Sequence, residues 1–229
     1  MLSLISVIIP VLNEESTIED TLKQVRDLSG TKEIIVVDGG STDKTFELAT
    51  QFADKVLKSK SGRARQMNVG AEAARGDVLF FLHSDSEIKG EVLISIQEKM
   101  KNSAVIGGCC SLKIDDESWP LRFISWTSNL RAKYLNLMFG DQGIFVRKSI
   151  FSQIGGYPEQ ELMEDWELSR KLSKFKGKLV QLSERIYTSA RRWHEFGIWK
   201  TIFLMHKIKL LYTLGVGPKK LKKIYRDAR

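Results

Sequence analysis

Three acidic stretches, in a fixed order, constrain this chain more than any other feature: Ile-Val-Val-Asp-Gly-Gly-Ser-Thr-Asp at 35–43, Phe-Phe-Leu-His-Ser-Asp-Ser at 80–86 and Leu-Met-Glu-Asp-Trp-Glu-Leu-Ser-Arg at 162–170. In the first two, an apolar run of buried-strand type stops at a carboxylate within a turn of Gly and Ser. In an open α/β sheet, ligands bind outside the carboxyl ends of the strands. The third stretch sets Glu164 and Asp165 beside an amphipathic helical run, in position for a base aimed at that crevice. One nucleotide site, one metal ligand and one general base are the functions this arrangement points to.

The first half alternates short β-branched runs with helical patterns, which predicts parallel strands joined by crossover helices. Strands are expected at 4–9, 33–37, 55–58 and 77–82, and helices to about 28, over 44–52 and over 63–74. Ser16 and Glu19 have capping-box spacing for the first helix. Ser41 or Asp43 would cap the second. In the second half we expect helix at 92–100, strand at 104–114, an irregular stretch around Trp119-Pro120, strand at 144–147, helix at 163–175 and an edge strand at 178–181. The expected fold class is α/β, a mostly parallel central sheet flanked by helices with a C-terminal helical extension. Residues 1–189 would be the main domain, and 190–229 a basic amphipathic extension of the same unit.

At 229 residues, with 42% apolar and 28% charged residues, the chain has the composition of a folded domain with a substantial core. Its net charge of +8 is carried by the tail, since residues 190–229 hold eleven Lys/Arg against two Asp/Glu. A nearly neutral body with a basic, apolar tail suits an anionic surface or substrate, and argues against a nucleic-acid groove. The adjacent Cys109 and Cys110 cannot staple a long loop, which favours a reducing, cytoplasmic compartment. The apolar N-terminal run ends at Pro10 and reads as a first strand, with no basic region of signal-peptide type before it. Residues 196–216 include Lys200, His206, Lys207 and Lys209, too many charges for a span of about 20 apolar residues. An amphipathic helix, on the protein or on a membrane surface, is expected there.

Asp38 ends its strand before two glycines and has no helix to cap, so its carboxylate is a candidate partner for a nucleobase N–H or a ribose hydroxyl. Asp43 reads as a helix cap. Asp85, beside His83 and Ser84, suits a hard divalent cation such as Mg²⁺ or Mn²⁺ that completes its shell with substrate phosphates. The rival reading makes His83 a hydrogen-bonded core or edge residue and the rest turn chemistry. Glu164 and Asp165 are consecutive at a helix start, so one is expected to face the crevice and the other the free N–H groups of the first turn. The base is assigned to Asp165, against the plainer reading of two ordinary N-terminal helix acids. Residues 62–68 bring Arg63, Arg65, Gln66 and Asn68 to a helix start suited to a diphosphate, or simply to a solvated face. Arg191, Arg192 and Trp193 combine planar cations with an aromatic face, a surface patch when taken alone.

Taken together, the Ser-Val-Ile-Ile-Pro-Val-Leu-Asn-Glu-Glu run at 6–15, the stretches at 36–43, 63–70 and 76–85, Gly-Gly-Tyr at 155–157 and Met-Glu-Asp-Trp-Glu-Leu at 163–168 resemble the family 2 glycosyltransferases from residue 4 to roughly 180. The resemblance implies a GT-A fold, a nucleotide-sugar donor (usually a UDP-sugar), a divalent metal and inversion at the anomeric carbon. A narrower resemblance is carried by 62–68, His83-Ser84-Asp85, Gly140-Asp141-Gln142-Gly143, 188–193 and the ending from Leu211. These residues look like those of the small bacterial transferases associated with radical-SAM and selenodomain proteins, of the arsenosugar-biosynthesis type.

Position by position, the resemblance implies that Pro10, Asn13 and Glu14 line the nucleotide loop and that Asp38 meets the base or ribose. Arg65 and Asn68 would lie by the nucleotide or diphosphate, with His83, Ser84, Arg191, Arg192 and Trp193 also on the donor side. Asp85 would hold the metal and Asp165 would be the catalytic base. Asp141, Gln142 and Glu164 fall on the acceptor side. His83 stands where the family pattern has the first acid of its Asp-x-Asp motif, and one fewer negative charge weakens Mg²⁺ binding. The expected reaction transfers one sugar to a hydroxyl of a small-molecule or lipid-like acceptor, with peripheral contact to an anionic membrane possible. Two rivals are a sugar nucleotidyltransferase, for which the early Gly-rich signature is missing, and a catalytically silent membrane-docking protein.

Overall fold

The computed structural model describes residues 3–227; the Arg192 side chain, an expected donor contact, lies outside the described residues. Its elements run β1 (Ile5–Val11), α1 (Ile18–Asp27), β2 (Lys32–Asp38), α2 (Thr45–Phe52), β3 (Lys55–Lys58), α3 (Arg63–Ala73), β4 (Val78–Phe81), β5 (Ser86–Ile88) and α4 (Val92–Met100). They continue through β6 (Val105–Asp115), α5 (Trp119–Leu135), a 3₁₀ turn (Gly140–Gln142), β7 (Ile144–Arg147), α6 (Lys148–Gln153), α7 (Glu164–Lys174), β8 (Lys178–Ser189), α8 (Arg191–Phe196), α9 (Ile198–Thr213) and α10 (Pro218–Asp227).

Successive residues of β1 point to opposite faces of the sheet, and both faces are covered, so nearly every position is apolar and buried. Val7 and Ile9 enter one core with Ile18, Leu22 and Val36. Ile8 enters the other with Ile35, Met67, Phe81 and Tyr157. The eight strands lie in the order β3-β2-β1-β4-β7-β6-β8-β5. β3, β2, β1 and β4 are mutually parallel, β7 is antiparallel to both its neighbours, and β8 runs parallel to β6 and antiparallel to β5. Because β2 and β3 build outward on one side of β1 while β4 adds on the other, the order reverses between β1 and β4. A crevice opens at the carboxyl ends of strands at such a reversal.

Several expectations are corrected. Helix α1 starts at Ile18 with Thr17 before it and no side-chain cap, so the Ser16 capping box does not form. Around Trp119-Pro120 the chain is helical, with Pro120 in the first turn of α5, where its missing N–H costs no helical bond. The strand expected to end at 181 runs twelve residues to Ser189 and lies between β6 and β5. A register shift opposite Cys109–Ser111 interrupts its alternation. The C-terminal helices pack on the rest of the chain: Ile208 and Leu221 share a cluster with Met163, and Ala190, Trp193 and Ile198 share another with Ile114 and Leu121.

Candidate active site

At the end of β2 the Asp38 carboxylate turns back on its own loop. Oδ2 accepts from Gly40 N at 3.2 Å, Oδ1 accepts from Ser41 N at 3.1 Å, and the Ser41 hydroxyl donates to the same group. Asp38 thus caps no helix but shapes the turn after β2 through an Asx-type contact. Asp43 Oδ1 accepts from Thr45 N at 3.0 Å beside the start of α2, but the cap position is Lys44, so neither Ser41 nor Asp43 is the cap residue itself. Asn13, in a left-handed conformation at φ +55°, accepts from Thr42 N on Oδ1 and donates its own N–H to Ser41 Oγ, each at 2.9 Å. Glu14 N donates to Thr45 Oγ1 at 2.7 Å. The loops after β1 and β2 are thereby stitched into one rim carrying Asn13, Glu14 and Asp38, with Pro10 in β1 beneath them.

Helix α3 anchors this rim to the rest of the crevice. Gln66, buried, donates its amide to both Val11 O and Val37 O at 2.8 Å, fixing the first turn of α3 over the ends of β1 and β2. One turn earlier, Arg63 reaches across to α7. Its Nη2 lies 3.3 Å from Asp165 Oδ2, and its Nε donates to Glu164 Oε1. Arg65 instead forms an exposed ion pair with Glu159 at 2.7 Å, and Asn68 bonds both backbone groups of Tyr157. Of the cations at 62–68, Arg63 is the one brought to the carboxylates. Sequence reasoning did not single it out, because its partners lie 101 and 102 residues away and leave no local signal.

Glu164 and Asp165 are each only 3% exposed. The expected divergence of their side chains does not occur: both converge on Arg63. Met163, left-handed at φ +68°, turns the chain immediately before α7 and sets this direction. Asp165 Oδ2 also accepts from Gly140 N at 3.0 Å, whereas Oδ1 has no hydrogen-bond partner among the described residues. Burial pushes the Asp165 carboxyl up to about 7; Arg63 opposes the rise and Glu164 adds to it. For Arg63, burial acts to lower the pKa, but Asp165 and Glu164 more than reverse it, so the guanidinium stays charged.

Gly140 opens the 3₁₀ turn that leads into β7. A Cβ there would stand 2.5 Å from His83 Nε2 and 2.9 Å from Asp165 Oδ2, so only glycine lets both side chains approach its backbone. His83 and Asp165 therefore flank one residue. Ser84 is buried, and its carbonyl accepts from Thr21 Oγ1 at 2.6 Å. Asp85 is exposed, and its charge acts on Asp141 together with those of Arg131, Lys209 and Arg63. Burial is the main influence on Asp141 and raises its pKa. Gln142 is fully buried, with Oε1 accepting from Phe139 N and Arg131 Nη2.

Hence Gln66 ties the ends of β1 and β2 to the first turn of α3, Arg63 of that turn reaches Asp165, and Asp165 and His83 meet at Gly140. Trp193 is packed instead with Leu121 and Ala190, and Arg191 is exposed, its N–H on Ser189 Oγ at 3.1 Å. A cavity of about 340 Å³ lined by Arg26, Thr31, Lys32 and Asp54 lies at the opposite end of β2 from Asp38, away from every group above. Among the described residues no group of three or more His, Cys, Asp or Glu is arranged to hold a metal ion. The exposed Asp85 carboxylate fits a hard cation that arrives with phosphate oxygens and keeps most of its shell from them and from water.

The model of the family described as glycosyl transferase family 2 matches residues 6–155. The chain is 30% identical over 148 residues to a glycosyltransferase of Haemophilus influenzae, covering 61% of this chain and 58% of that one. It is 27% identical over 141 residues to the undecaprenyl-phosphate 4-deoxy-4-formamido-L-arabinose transferase of Pseudomonas aeruginosa, covering 56% of this chain and 40% of that one. This chain thus spans about half the length of these curated relatives. In three dimensions it superposes over its whole length on 70% of a mannosyltransferase from Pyrobaculum calidifontis, solved with GDP-Man and Mn²⁺, at a TM-score of 0.72 and 16% identity. That likeness shows the fold, an α/β fold of the GT-A type. A match across most of the crevice-forming strands, on a sheet of this order, means that the chain belongs to glycosyl transferase family 2.

Proposed function

We propose that this chain is an inverting glycosyltransferase, moving one sugar from a nucleotide-sugar donor, a UDP-sugar in the first instance, to a hydroxyl of a small-molecule or lipid-like acceptor. The observation that carries this reading is the division of labour within Asp165. Oδ2 is held by Arg63 and Gly140 N, and Oδ1 is left without a partner. A carboxylate fixed through one oxygen, with a pKa near the working pH, is what general-base catalysis requires. Oδ1 accepts the acceptor proton as the acceptor oxygen bonds to the anomeric carbon. The bond from that carbon to the nucleoside diphosphate breaks, and the diphosphate oxygen leaves with the electron pair. Asp165 is out of solvent contact, so acceptor access is coupled to a shift of the side chains over it.

The donor nucleotide is assigned to the rim of Pro10, Asn13, Glu14 and Asp38, with His83 and Ser84 across the crevice. Asp85 would hold a Mg²⁺ or Mn²⁺ ion, and such an ion when bound neutralises charge on the leaving diphosphate. Arg65 on α3 and Arg191, Arg192 and Trp193 on α8 would reach the donor only through a shift of those helices, and Asn68, tied to both backbone groups of Tyr157, is given a structural role instead. We read residues 1–189 and 190–229 as one unit, and the narrower likeness to radical-SAM-associated transferases as part of this proposal.

Contact with an anionic membrane on the cytoplasmic face belongs to the same reading. Trp119, Phe123 and Trp126 form an exposed stripe on α5, 68%, 46% and 57% accessible, with successive ring centroids 5.6 and 5.8 Å apart. α9 exposes Trp199, Phe203 and Leu210, with Leu214 just past its end, and α10 adds Lys219, Lys220, Lys222 and Lys223. Aromatic side chains beside a basic helix suit a lipid interface, and no described helix is long and apolar enough to cross a membrane.

The test is a thermal-shift screen of nucleoside diphosphates and their sugars with and without Mn²⁺, followed by hydrolysis of whichever nucleotide sugar binds. A ligand that binds only the native state raises its apparent stability. Binding plus slow hydrolysis is expected. A chain stabilised by nucleoside triphosphate and sugar phosphate, and by no nucleotide sugar, would instead be a nucleotidyltransferase.

A further inference from the structure

Tyr157 is 2% exposed, and its hydroxyl has no hydrogen-bond partner among the described residues. The ring is held on several sides. It stands at 87° to the Phe81 ring with 5.0 Å between centroids, and meets the Phe151 ring at 5.7 Å. Two Asn68 bonds clamp its backbone to α3, and Lys171 Nζ donates to Gly156 O at 2.9 Å, tying the same turn to α7. Gly156, at φ +60°, lets the turn come this close, because a Cβ there would stand 2.7 Å from Asn68 Oδ1. Tyr157 is therefore fixed both to the helix that carries Arg63 and to the helix that carries Glu164 and Asp165.

Burial pushes the Tyr157 phenol well above the usual tyrosine range, and the charges that reach it are those of Asp165, Arg63 and Glu164. The hydroxyl keeps its proton and can donate it. Arg63 in turn feels Asp165, Glu164 and Tyr157, so the four groups form one electrostatic neighbourhood. Within it each acid keeps one oxygen unserved: Arg63 takes Glu164 Oε1 and Asp165 Oδ2, and Glu164 Oε2 and Asp165 Oδ1 are buried without a partner. A buried phenol ordinarily finds a partner, and so does a buried carboxylate oxygen. One water that accepts from the phenol and gives one hydrogen to each carboxylate satisfies all three atoms.

We infer that Tyr157 is a positioning residue for the base: its hydroxyl, through one buried water, holds the free oxygens of Glu164 and Asp165 in their working orientation. The inference rests on the transferase reading of Asp165 and adds to it a group from the Gly-Gly-Tyr turn. Asp165 Oδ1 has a second lone pair, which stays available for the acceptor proton. A donor to an ionised carboxylate favours the ionised form, so the phenol works in the same sense as Arg63 and Gly140 N. Besides burial, the groups that act on Asp165 are Arg63 on α3, Glu164 beside it, Gly140 N and Asp141 in the 3₁₀ turn, with His83 across Gly140.

The test is Tyr157→Phe, which removes the hydroxyl and keeps the ring on Phe81 and Phe151 and the backbone on Asn68, so the variant is expected to fold. The aspartate carboxyls of the full chain are titrated by ¹³C NMR through the neutral range, with the Asp165 signal identified by its loss in Asp165→Asn, and kcat is followed over the same range. In Tyr157→Phe the Asp165 titration should move up by about half a unit to one unit, the acidic limb of kcat should move with it, and turnover at pH 7 should fall about two- to fivefold, with KM for the donor unchanged. A titration that stays in place or moves down overturns the inference, because a phenol with a packing role alone leaves the Asp165 proton where it was. A raised Tm alongside an unmoved titration overturns it too, marking the hydroxyl as an unserved group whose removal relieves its burial. Failure of the parent to turn over any nucleotide sugar would strike the transferase reading, and the carboxyl titration would still decide the role of Tyr157.

Discussion

Arg63 Nη2 lies 3.3 Å from Asp165 Oδ2, joining the first turn of α3 to the first turn of α7 across 102 residues. With Glu164 on its Nε, this guanidinium is the cation that tempers two buried carboxylates. The carboxylates are buried while the Arg63 side chain is 42% exposed, so losing this cation leaves two buried acids without the charge that tempers them.

Arg63→Met should move the acidic limb of the rate profile to higher pH. Asp165 sits at about 7 because burial raises its pKa while Arg63 opposes the rise. Without the cation its pKa climbs further, so a smaller fraction is ionised at pH 7. Turnover there should fall about fivefold and recover towards pH 9, as expected for a limb moved by about one unit from a pKa near the assay pH. A pH series of kcat distinguishes this from a structural defect, which would lower turnover equally at every pH.

Gly140→Ala should cost far more activity than stability. The added methyl meets His83 Nε2 and Asp165 Oδ2 at sub-contact distances, and both atoms are at the ends of side chains that can move aside. A displacement of about 1 Å at a base can cost about a hundredfold in rate. We expect kcat to drop by that order while Tm changes by a few degrees or less.

Asn68→Ala should destabilise the chain and leave donor affinity unchanged. Its Nδ2 donates to Tyr157 O at 2.8 Å and its Oδ1 accepts from Tyr157 N at 2.9 Å, tying α3 to the Gly-Gly-Tyr turn before α7. Losing both bonds costs about 2–3 kcal/mol, or a Tm fall of about 4–10 °C for a chain of this size. Calorimetry and a UDP titration on the same sample check the two halves of this expectation.

Replacing Trp119, Phe123 and Trp126 together by Ser should weaken sedimentation with vesicles containing phosphatidylglycerol. The stripe is solvent-exposed, so the triple variant should keep its melting temperature. Residual binding should be more sensitive to salt than that of the parent, since the Lys-rich α10 then carries a larger share of it.

Much of the scaffold was legible because buried parallel strands are written as unbroken apolar runs. Residues 144–147 and 92–100 show the expected element at the expected bounds, Asp38 is the last residue of β2, and Asp85 follows β4. The elements that escaped have physical reasons. α5 carries its large aromatics towards solvent, so its amphipathic pattern is inverted and does not read as a core-facing helix. β8 hides behind a register shift. At the site, the places of Asp38 at a strand end and Asp165 at a helix start could be read from local pattern. The reach of Arg63 and the close approach at Gly140 could not, because each depends on a partner on another element.

The measurement that tests the central claim most directly is turnover and donor affinity of Asp165→Asn. Asn keeps the shape and can still meet Arg63 or Gly140, but cannot accept the acceptor proton. The account predicts a loss in kcat of at least about a hundredfold with the dissociation constant for UDP and Mn²⁺ within about twofold of the parent. Turnover retained at parental level would contradict it.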